Sequence, residues 1–509
     1  MPAIELAAPL AMVFLLAAPG ARADIKVQPS VNARETYSTN PSLSTDGSNG
    51  QFISELSPSL TILDNSPRLQ FLGRVTEHLY AYSGKQQPGT NNSNLNVTGN
   101  GKGTLVQDLF YVDGNVSRTT QAVSAFGQQY QNGYTSSNSD NITTYSISPY
   151  LVHRFGPTAQ GQLRYTHDSV KGARAQFGDS TGNALTLNLS SGPSFTRIGW
   201  QLQAYQQQLD NEIAGKSKTE TALATLRFIA RQDLSLYTTG GYDKYDYGPY
   251  GGITQGKSYS LGFTWTPSAR TNIDASVGHR YFGKTYSLAA VHRSRKTVWT
   301  AGYHDDITTT RGQFLRPESV DTATLLDASF ASAFPDPIAR RQAIDAYIRA
   351  LGLPTSVANN INYFSNRLFL QKQATASVLL NGSRSTAILS FNNTKRQALS
   401  SAVTDQGLAS AAIPDLNDNT RQRAITAAFN YRLSGRSSAV LSASKSHVLS
   451  LDTGLEQDQT FVNFVLSRQF DRNLSGSVEL RRNQGTVFGT DGRGYHENAV
   501  SASLSYRLQ

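Results

Sequence analysis

Arginine is the residue type whose placement most clearly indicates chemistry in this sequence. In several segments polar and apolar side chains alternate, and a set of arginines falls on the polar side of that alternation. Rings of guanidinium groups inside a pore favour anions over cations. The pattern predicts an anion-favouring lumen; the alternative is that nearby acids such as Glu479 pair with the arginines and neutralise the wall. The candidate lumen-lining residues are Arg164, Arg227, Arg280, Arg432, Arg481 and Arg507.

The residues that support catalysis or metal binding show no matching pattern in the sequence. The eight histidines form neither an H-x-x-x-H nor an H-E-x-x-H motif, and the chain has no cysteine. Ser446 and His447 are adjacent, so on a strand they point to opposite faces and cannot act as nucleophile and base. Asp305 and Asp306 point apart for the same reason. We expect no enzyme, no catalytic or metal site and no cofactor.

The composition indicates a polar chain that owes little of its polarity to charge. Charged residues make up 16% of the 509 residues, and the mean hydropathy is −0.38, so Ser, Thr, Asn, Gln and Gly supply the polar surface. Aromatic residues at 10% argue against a disordered chain. The net charge of +10 suits an anionic partner, either lipopolysaccharide or an anionic polysaccharide. No phosphate-binding loop accompanies it, so nucleic acid is not expected.

Residues 1–23 have the pattern of a secretory signal peptide. The stretch 6–18 is apolar, Pro19-Gly20 interrupts it, and Ala21-Arg22-Ala23 is an A-x-A cleavage pattern. This apolar run is shorter than the roughly 20 residues that a membrane-spanning helix needs, and no later segment comes near that length. If the mature protein lies in a membrane, it must therefore cross with strands.

The elements that position these side chains are predicted from alternation with a period of two. Val500, Ala502, Leu504 and Tyr506 alternate with polar residues, and segments near 198–204, 222–230, 273–281 and 425–433 repeat the arrangement. The segments exceed the about five or six residues typical of soluble strands and match the roughly nine to eleven needed to cross a bilayer. Short turns alternate with long loops, as in outer-membrane barrels. We therefore predict an all-β, transmembrane antiparallel β-barrel in the bacterial outer membrane, with a soluble sandwich or propeller as the alternative.

The number of strands is predicted to be about 20, within a range of about 18 to 22, because such barrels have an even number. The direct count gives an odd number, and the fault lies before Ile142. Residues 24–50 are either a periplasmic segment, which gives about 20 strands, or a first strand, with a tight hairpin at Asp113-Gly114 giving about 22. Pro29 favours the periplasmic segment. The barrel is assigned to residues 51–509.

The longest predicted loop, residues 311–362, contains a segment that breaks the strand pattern. Asp336 can cap a helix, Pro337 fits its first position and Gly352 fits its end. Four apolar residues share one face at helical spacing, namely Ile344, Tyr347, Ile348 and Leu351. The segment is predicted to be a short amphipathic helix that either packs on the outer rim or forms a lid over the lumen.

Several stretches resemble the β-barrel porin family found with exopolysaccharide operons, including outer-membrane proteins of the PEP-CTERM/exosortase sorting system. They are VQPSVNARETYSTNPSLS with FISELSPSLTI, LVQDLFYVDGNVS, and the run from FPDPIARRQAIDAYIRALGLP to SFNNTKRQAL. The resemblance covers most of the mature chain, and its motifs are structural. It implies an outer-membrane barrel associated with exopolysaccharide production or export, and it carries over no catalytic residue.

The sequence thus leaves several functions open. The first expectation is a conduit or accessory pore for polysaccharide export, with outer-membrane lipid, lipopolysaccharide and export machinery as partners. The alternatives are a passive general porin, a structural or surface-anchoring barrel without transport, and an outer-membrane hydrolase. TonB-type active transport is not expected, because residues 24–51 are too few for a plug domain. Monomer and trimer fit the sequence equally well.

Overall fold

The computed structural model describes residues 25–45, 49–127, 132–135, 138–173, 178–248, 252–315, 340, 344, 363, 365–400, 419–486 and 494–508. These residues form one antiparallel sheet of 22 strands. The predicted signal peptide lies outside the described residues. Among the described residues, no helix is both long enough and apolar enough to cross a bilayer.

The strands follow one another along the chain, and each pairs with its sequence neighbours. They are β1 Lys26–Ser38, β2 Gln51–Asn65, β3 Leu69–Tyr82, β4 Ser93–Val106, β5 Phe110–Ala122, β6 Ser139–Phe155, β7 Ala159–Gly172, β8 Ser180–Ser191, β9 Ile198–Asn211, β10 Gly215–Arg231, β11 Leu234–Asp246, β12 Ile253–Ser268, β13 Thr271–Arg280, β14 Gly283–Arg293, β15 Thr297–Thr309, β16 Leu368–Asn381, β17 Ser385–Ala398, β18 Thr420–Ser434, β19 Ser437–Ser450, β20 Glu456–Gln469, β21 Leu474–Thr486 and β22 Gly494–Arg507.

The sheet closes on itself through the first and last strands. β1 pairs with β2 on one side and with β22 on the other, from Ser30 opposite Arg507 to Ser38 opposite Ala499. A closed wall leaves no strand edge with unpaired backbone groups facing lipid. The predicted all-β antiparallel barrel is therefore confirmed. The count of 22 lies within the predicted range, but the preference for 20 was wrong, because residues 26–38 form a strand of the wall.

The second error in the strand count lies between β4 and β5. No hairpin forms at Asp113-Gly114, since both residues lie inside β5. The turn comes earlier, between Val106 and Phe110, where Asp108 adopts a positive φ of 58°. Asp is one of the few residue types other than Gly that tolerate this left-handed conformation. Residues 93–106 form β4, which ends directly before this turn.

The two faces of the wall follow the predicted alternation. In β22, Leu504 and Val500 are 54% and 51% exposed, whereas Ser501 is 3% exposed. An apolar side chain left exposed on a barrel wall faces lipid, and its buried polar neighbour faces the lumen. The predicted register of β22 is confirmed, with Ala502, Leu504 and Tyr506 on the outside.

The connections at the two rims differ in length. At one rim, short turns join β2 to β3, β4 to β5 and so on through β20 to β21. At the other rim, the connections include residues 123–138, 310–367 and 399–419. Outer-membrane barrels place short turns in the periplasm and long loops outside. We refer to these rims as the short-turn end and the long-loop end.

Candidate functional site: the lumen and its two ends

The described residues of the connection between β5 and β6 lie inside the lumen. We name its described residues, 123–127, 132–135 and 138, the inward loop. Its Phe126 shares a buried apolar cluster with Tyr363, with Phe369 of β16 and with Val448 of β19. In the closed wall of 22 strands, β5 and β16 are 11 strands apart in either direction (16 − 5). The cluster therefore joins opposite sides of the barrel.

Polar contacts anchor the inward loop to a second part of the wall. Gln457 of β20 donates from Nε2 to the carbonyl oxygen of Gly127 at 2.7 Å. Thr135 donates from Oγ1 to the carbonyl oxygen of Pro41 at 2.6 Å. Each bond gives a hydrogen-bond partner to a backbone carbonyl outside regular structure, as buried carbonyls require. The loop is thus held at several points around the lumen.

A buried ion pair completes the anchor of the inward loop. Arg481 of β21 and Glu497 of β22 are 3.1 Å apart, and their side chains are 4% and 0% exposed. Tyr134 donates its hydroxyl to Glu497 at 3.0 Å and accepts a hydrogen bond from Arg481, and Ser38 also donates to Glu497, at 2.6 Å. Burial raises the pKa of the Tyr134 hydroxyl above its usual range, so this group stays protonated and keeps its donor role.

A second segment crosses the lumen from the end of β15. It is a short helix, α1 Thr310–Phe314, which Thr309 caps by accepting from the Gly312 backbone N–H. Arg311 lies 2.8 Å from Asp168 of β7 and donates from Nε to Ser180 of β8 at 2.7 Å. Phe314 packs with Ile142 and Val170, on β6 and β7.

The two crossing segments are linked through a buried arginine on β17. Arg396 donates to Gln371 at 2.9 Å and to Gln313 of α1 at 2.6 Å. Its guanidinium lies 4.9 Å from the ring centre of Tyr363, which belongs to the apolar cluster of the inward loop. Charge-assisted and cation–π contacts of this kind gain strength where water is excluded. Together these groups form a transverse layer across the long-loop end of the lumen.

The predicted lid helix lies almost entirely outside the described residues. Of its proposed members, Asp336, Tyr347, Ile348 and Leu351 are not described. Arg340 and Ile344 are helical, and Ile344 is 1% exposed. The lid role of this segment stays a prediction.

Three of the six predicted arginines are engaged by acids on the inner wall. Arg164 lies 2.8 Å from Asp113 and stacks 3.9 Å from the ring centre of Tyr150. Arg280 lies 3.0 Å from Asp243 and 3.8 Å from Asp306. Arg481 belongs to the buried pair described above. A signal for these pairs was present in the sequence, because the same alternation places Asp113, Asp243 and Glu497 on the inner face.

The other three predicted arginines are exposed and lie toward the short-turn end. Arg227, Arg432 and Arg507 have no carboxylate within 4 Å among the residues that the structure describes. Arg432 and Arg507 line a cavity of about 680 Å³ at that end of the lumen. Among the described residues of its lining, Asp471 is the one carboxylate. The arginines of the lining are Arg34, Arg74, Arg432, Arg436, Arg468, Arg472 and Arg507.

The candidate chemical clusters of the sequence are separated by the strand geometry. Ser446 is buried on the inner face, whereas His447 points outwards to Asp458 at 3.1 Å, so the two residues face apart as predicted. His304 and Asp306 share the inner face of β15, and Asp305 accepts a bond from the Tyr286 backbone on the outer side. No group of three or more metal-ligating side chains occurs among the described residues.

Comparison with known proteins identifies the fold but not a family. No family model matches the chain, and no curated protein matches it. The apoprotein form of the FrpB iron transporter from Neisseria meningitidis is similar in structure, with a TM-score of 0.51 and 7% sequence identity over 94% of this chain and 81% of that chain. The siderophore receptor PirA from Pseudomonas aeruginosa gives a TM-score of 0.45 and 10% identity over 96% and 82%. The first likeness shows a shared fold alone. The chain is a bacterial outer-membrane β-barrel.

Proposed function

We propose that this barrel is a conduit or accessory pore for an anionic polymer, associated with exopolysaccharide production or export. The observation that carries the proposal is the arginine-lined cavity at the short-turn end of the lumen, which contains one carboxylate among its described lining residues. Cationic walls of low dielectric raise the local concentration of anions. The link with exopolysaccharide rests on the sequence resemblance, and we propose no enzymatic activity.

The transverse layer gives this conduit a closed resting state. A polymer that enters from the periplasm meets the arginines first and the layer second. The inward loop and α1 are the parts of this layer that do not belong to wall strands, so they can move without opening the barrel wall. Loops, rather than strands paired on both sides, are the elements that rearrange when a protein opens locally. We propose that displacement of the inward loop opens the route.

The test is the conductance of the full-length protein in planar lipid bilayers, with an ion gradient to measure selectivity. We expect a small conductance that favours anions. The variant Arg432→Gln/Arg507→Gln should shift the reversal potential towards cations, because two exposed cations leave the narrow mouth. The matched control is Lys257→Gln, which removes a positive charge from the outer surface of β12. Equal selectivity in the wild type and the Arg432/Arg507 variant would contradict the anion-binding mouth.

A second measurement separates the transport functions from the rest. Deletion of the gene should trap anionic polysaccharide inside the outer membrane, and the wild-type chain should restore secretion. Normal secretion together with ion conductance would support a general porin. Normal secretion without conductance would support a structural or anchoring barrel. A change in polysaccharide chain length in the presence of the purified protein would support a hydrolase.

A further inference from the structure

The outer surface of β16, β17 and β18 carries three cations in one line. Lys372 lies directly opposite Lys395, and Lys395 lies directly opposite Arg421. We name these three residues the cation row. Each alternates with buried neighbours of the inner face, such as Gln371, Thr394, Arg396, Thr420 and Gln422, so the row faces outwards.

This arrangement is electrostatically unfavourable for the isolated barrel. Like charges placed directly opposite each other on neighbouring strands destabilise a sheet. No residue of the row has a carboxylate within 4 Å among the described residues. Asp305 is opposite Lys372 on the other side, and its carboxylate accepts a hydrogen bond from the Tyr286 backbone at 3.3 Å. The row is continued by further outward-facing cations, Arg423, Lys445 and Arg482.

Another part of the wall, formed by β9, β10 and β11, shows that outward-facing cations can have acids beside them. On β10, Lys218 lies 2.6 Å from Glu220, and Lys244 of β11 lies 3.9 Å from the same carboxylate. Lys216 lies 3.7 Å from Asp210 of β9. These cations are outward-facing and near the long-loop end, as the cation row is, but acids accompany them.

The position of the cation row along the barrel axis matches the head-group region of the outer leaflet. On the short-turn side of the row, the outward residues are exposed and apolar, for example Leu389, Phe391 and Ile425. The row thus lies just beyond the apolar band, towards the long-loop end. In an outer-membrane barrel this is the level of the outer-leaflet head groups. Arg and Lys bind phosphate oxygens through strong charge-assisted hydrogen bonds.

We propose that the cation row, with Arg423 and Lys445 beside it, is a binding site for the phosphate groups of an outer-leaflet glycolipid. The lipid-borne phosphates place negative charge within hydrogen-bonding reach of these cations. Acyl chains of the same molecule then lie against the apolar band below. This site is independent of the lumen and of the proposed conduit.

The test is the retention of purified bisphosphorylated lipid A by the full-length protein in zwitterionic detergent, measured by native mass spectrometry. The variant Lys372→Gln/Lys395→Gln/Arg421→Gln should lose affinity on the order of a hundredfold, at about fivefold for each charge removed. The matched control Lys216→Gln/Lys218→Gln/Lys244→Gln removes the same amount of charge from the outer surface of β10 and β11 and should bind lipid A as the wild type does. Equal affinity of the two triple variants would overturn the proposal.

Two further arms identify the source of the phosphate and check folding. Dephosphorylated lipid A should bind weakly, and neither inorganic phosphate nor a soluble anionic polysaccharide should displace the lipid at matched phosphate or charge concentration. Displacement by either competitor would overturn a lipid site. Without lipid A, the cation-row variant should unfold at the same or a higher temperature than the wild type, because repulsion is relieved. With lipid A, the wild type should gain more thermal stability than the variant, and an equal gain would contradict the site.

Discussion

Inward-facing arginines occur at both ends of the lumen, but their surroundings differ. At the long-loop end, Arg481 and Arg311 are buried, and each lies within 3.1 Å of a carboxylate. At the short-turn end, Arg432 and Arg507 are exposed and line a cavity with a single described carboxylate. A buried cation must be paired with an anion, whereas an exposed cation keeps its hydration and remains able to attract anions. The first end therefore uses arginine to hold structure, and the second leaves it exposed in a cavity.

The largest effect is expected from breaking the buried pair at the long-loop end. Glu497→Ala leaves the buried Tyr134 hydroxyl without its acceptor and Arg481 with a more distant carboxylate, that of Glu479 at 3.7 Å. The change should lower the free energy of unfolding by about 3–5 kcal/mol. Chemical denaturation in detergent micelles measures the change, and bilayer conductance should rise as the inward loop is released. The apolar double variant Arg481→Met/Glu497→Leu is the control, since it removes both charges and should recover most of the stability. A loss no larger than that of a surface pair would show that the anchor is solvated.

The apolar cluster across the lumen should give the next largest effect. Phe126→Ala removes the side chain that joins the inward loop to β16 and β19, and a buried Phe-to-Ala change costs about 3 kcal/mol or more. Conductance should increase while anion selectivity is retained, because the short-turn arginines are untouched. Phe195→Ala, in an exposed turn, is the matched control. Unchanged conductance would mean that another part of the long-loop end limits flow.

The third prediction compares the two faces of β22 near the short-turn end. Leu504→Arg places a charge against lipid and should cost about 2–4 kcal/mol if the site lies near the midplane. Ser503→Arg places the same charge in the lumen beside Ser477, with which Ser503 shares a 2.8 Å hydrogen bond, and should be mild. Folding yields into lipid vesicles over a denaturant series measure both. A larger cost for Ser503→Arg would indicate that the short-turn end is as closely packed as the other.

The smallest effect at neutral pH concerns the Tyr134 hydroxyl. Its pKa is raised by burial, so the closed form binds this proton more tightly than the unfolded chain does. Stability from this group is complete below pH about 10 and is lost as pH rises from there towards the raised value. Conductance should therefore stay constant from neutral pH to about 9 and change only above about 10. Tyr134→Phe should abolish this step, and a step that persists in the variant would assign it to another group.

Much of the wall was predictable because lipid and water enforce strict alternation. In β22 and β18 the large apolar residues from Val500 to Tyr506 and from Ile425 to Leu433 all lie on the outer face, where they meet lipid. β4 is not recognisable from alternation, because its outward positions include Gly99 and Gly101 instead of large apolar residues. The ring of Phe71 lies over these two positions, so a side chain at Gly101 would come within 3.2 Å of it. Phe71 of the neighbouring strand β3 thus supplies the apolar surface that β4 itself lacks.

The lumen was less predictable than the wall. Alternation indicates which face a residue lies on, but it does not indicate which residues meet across the barrel. Tyr134 and Glu497 are 363 positions apart in the chain, and Arg311 and Ser180 are 131 apart. Such contacts depend on how loops fold inwards, which local propensity does not specify. Pro29 led to the preference for 20 strands because proline is disfavoured inside a paired strand. It is tolerated here because it lies just before Ser30, where pairing with β22 begins.

The pairing of the first strand with the last also sets the order of assembly. Ser30 and Arg507 are 477 positions apart (507 − 30), so β1 gains its second neighbour only after nearly the whole chain has been synthesised. Contacts this distant in sequence form slowly, because the loop-closure entropy is lost before any bond is gained. Until β22 arrives, β1 and the newest strand each expose a row of unpaired backbone groups that lipid cannot satisfy. A nascent chain that lacks β22 should therefore be held outside the bilayer core, and insertion and closure should occur as one event.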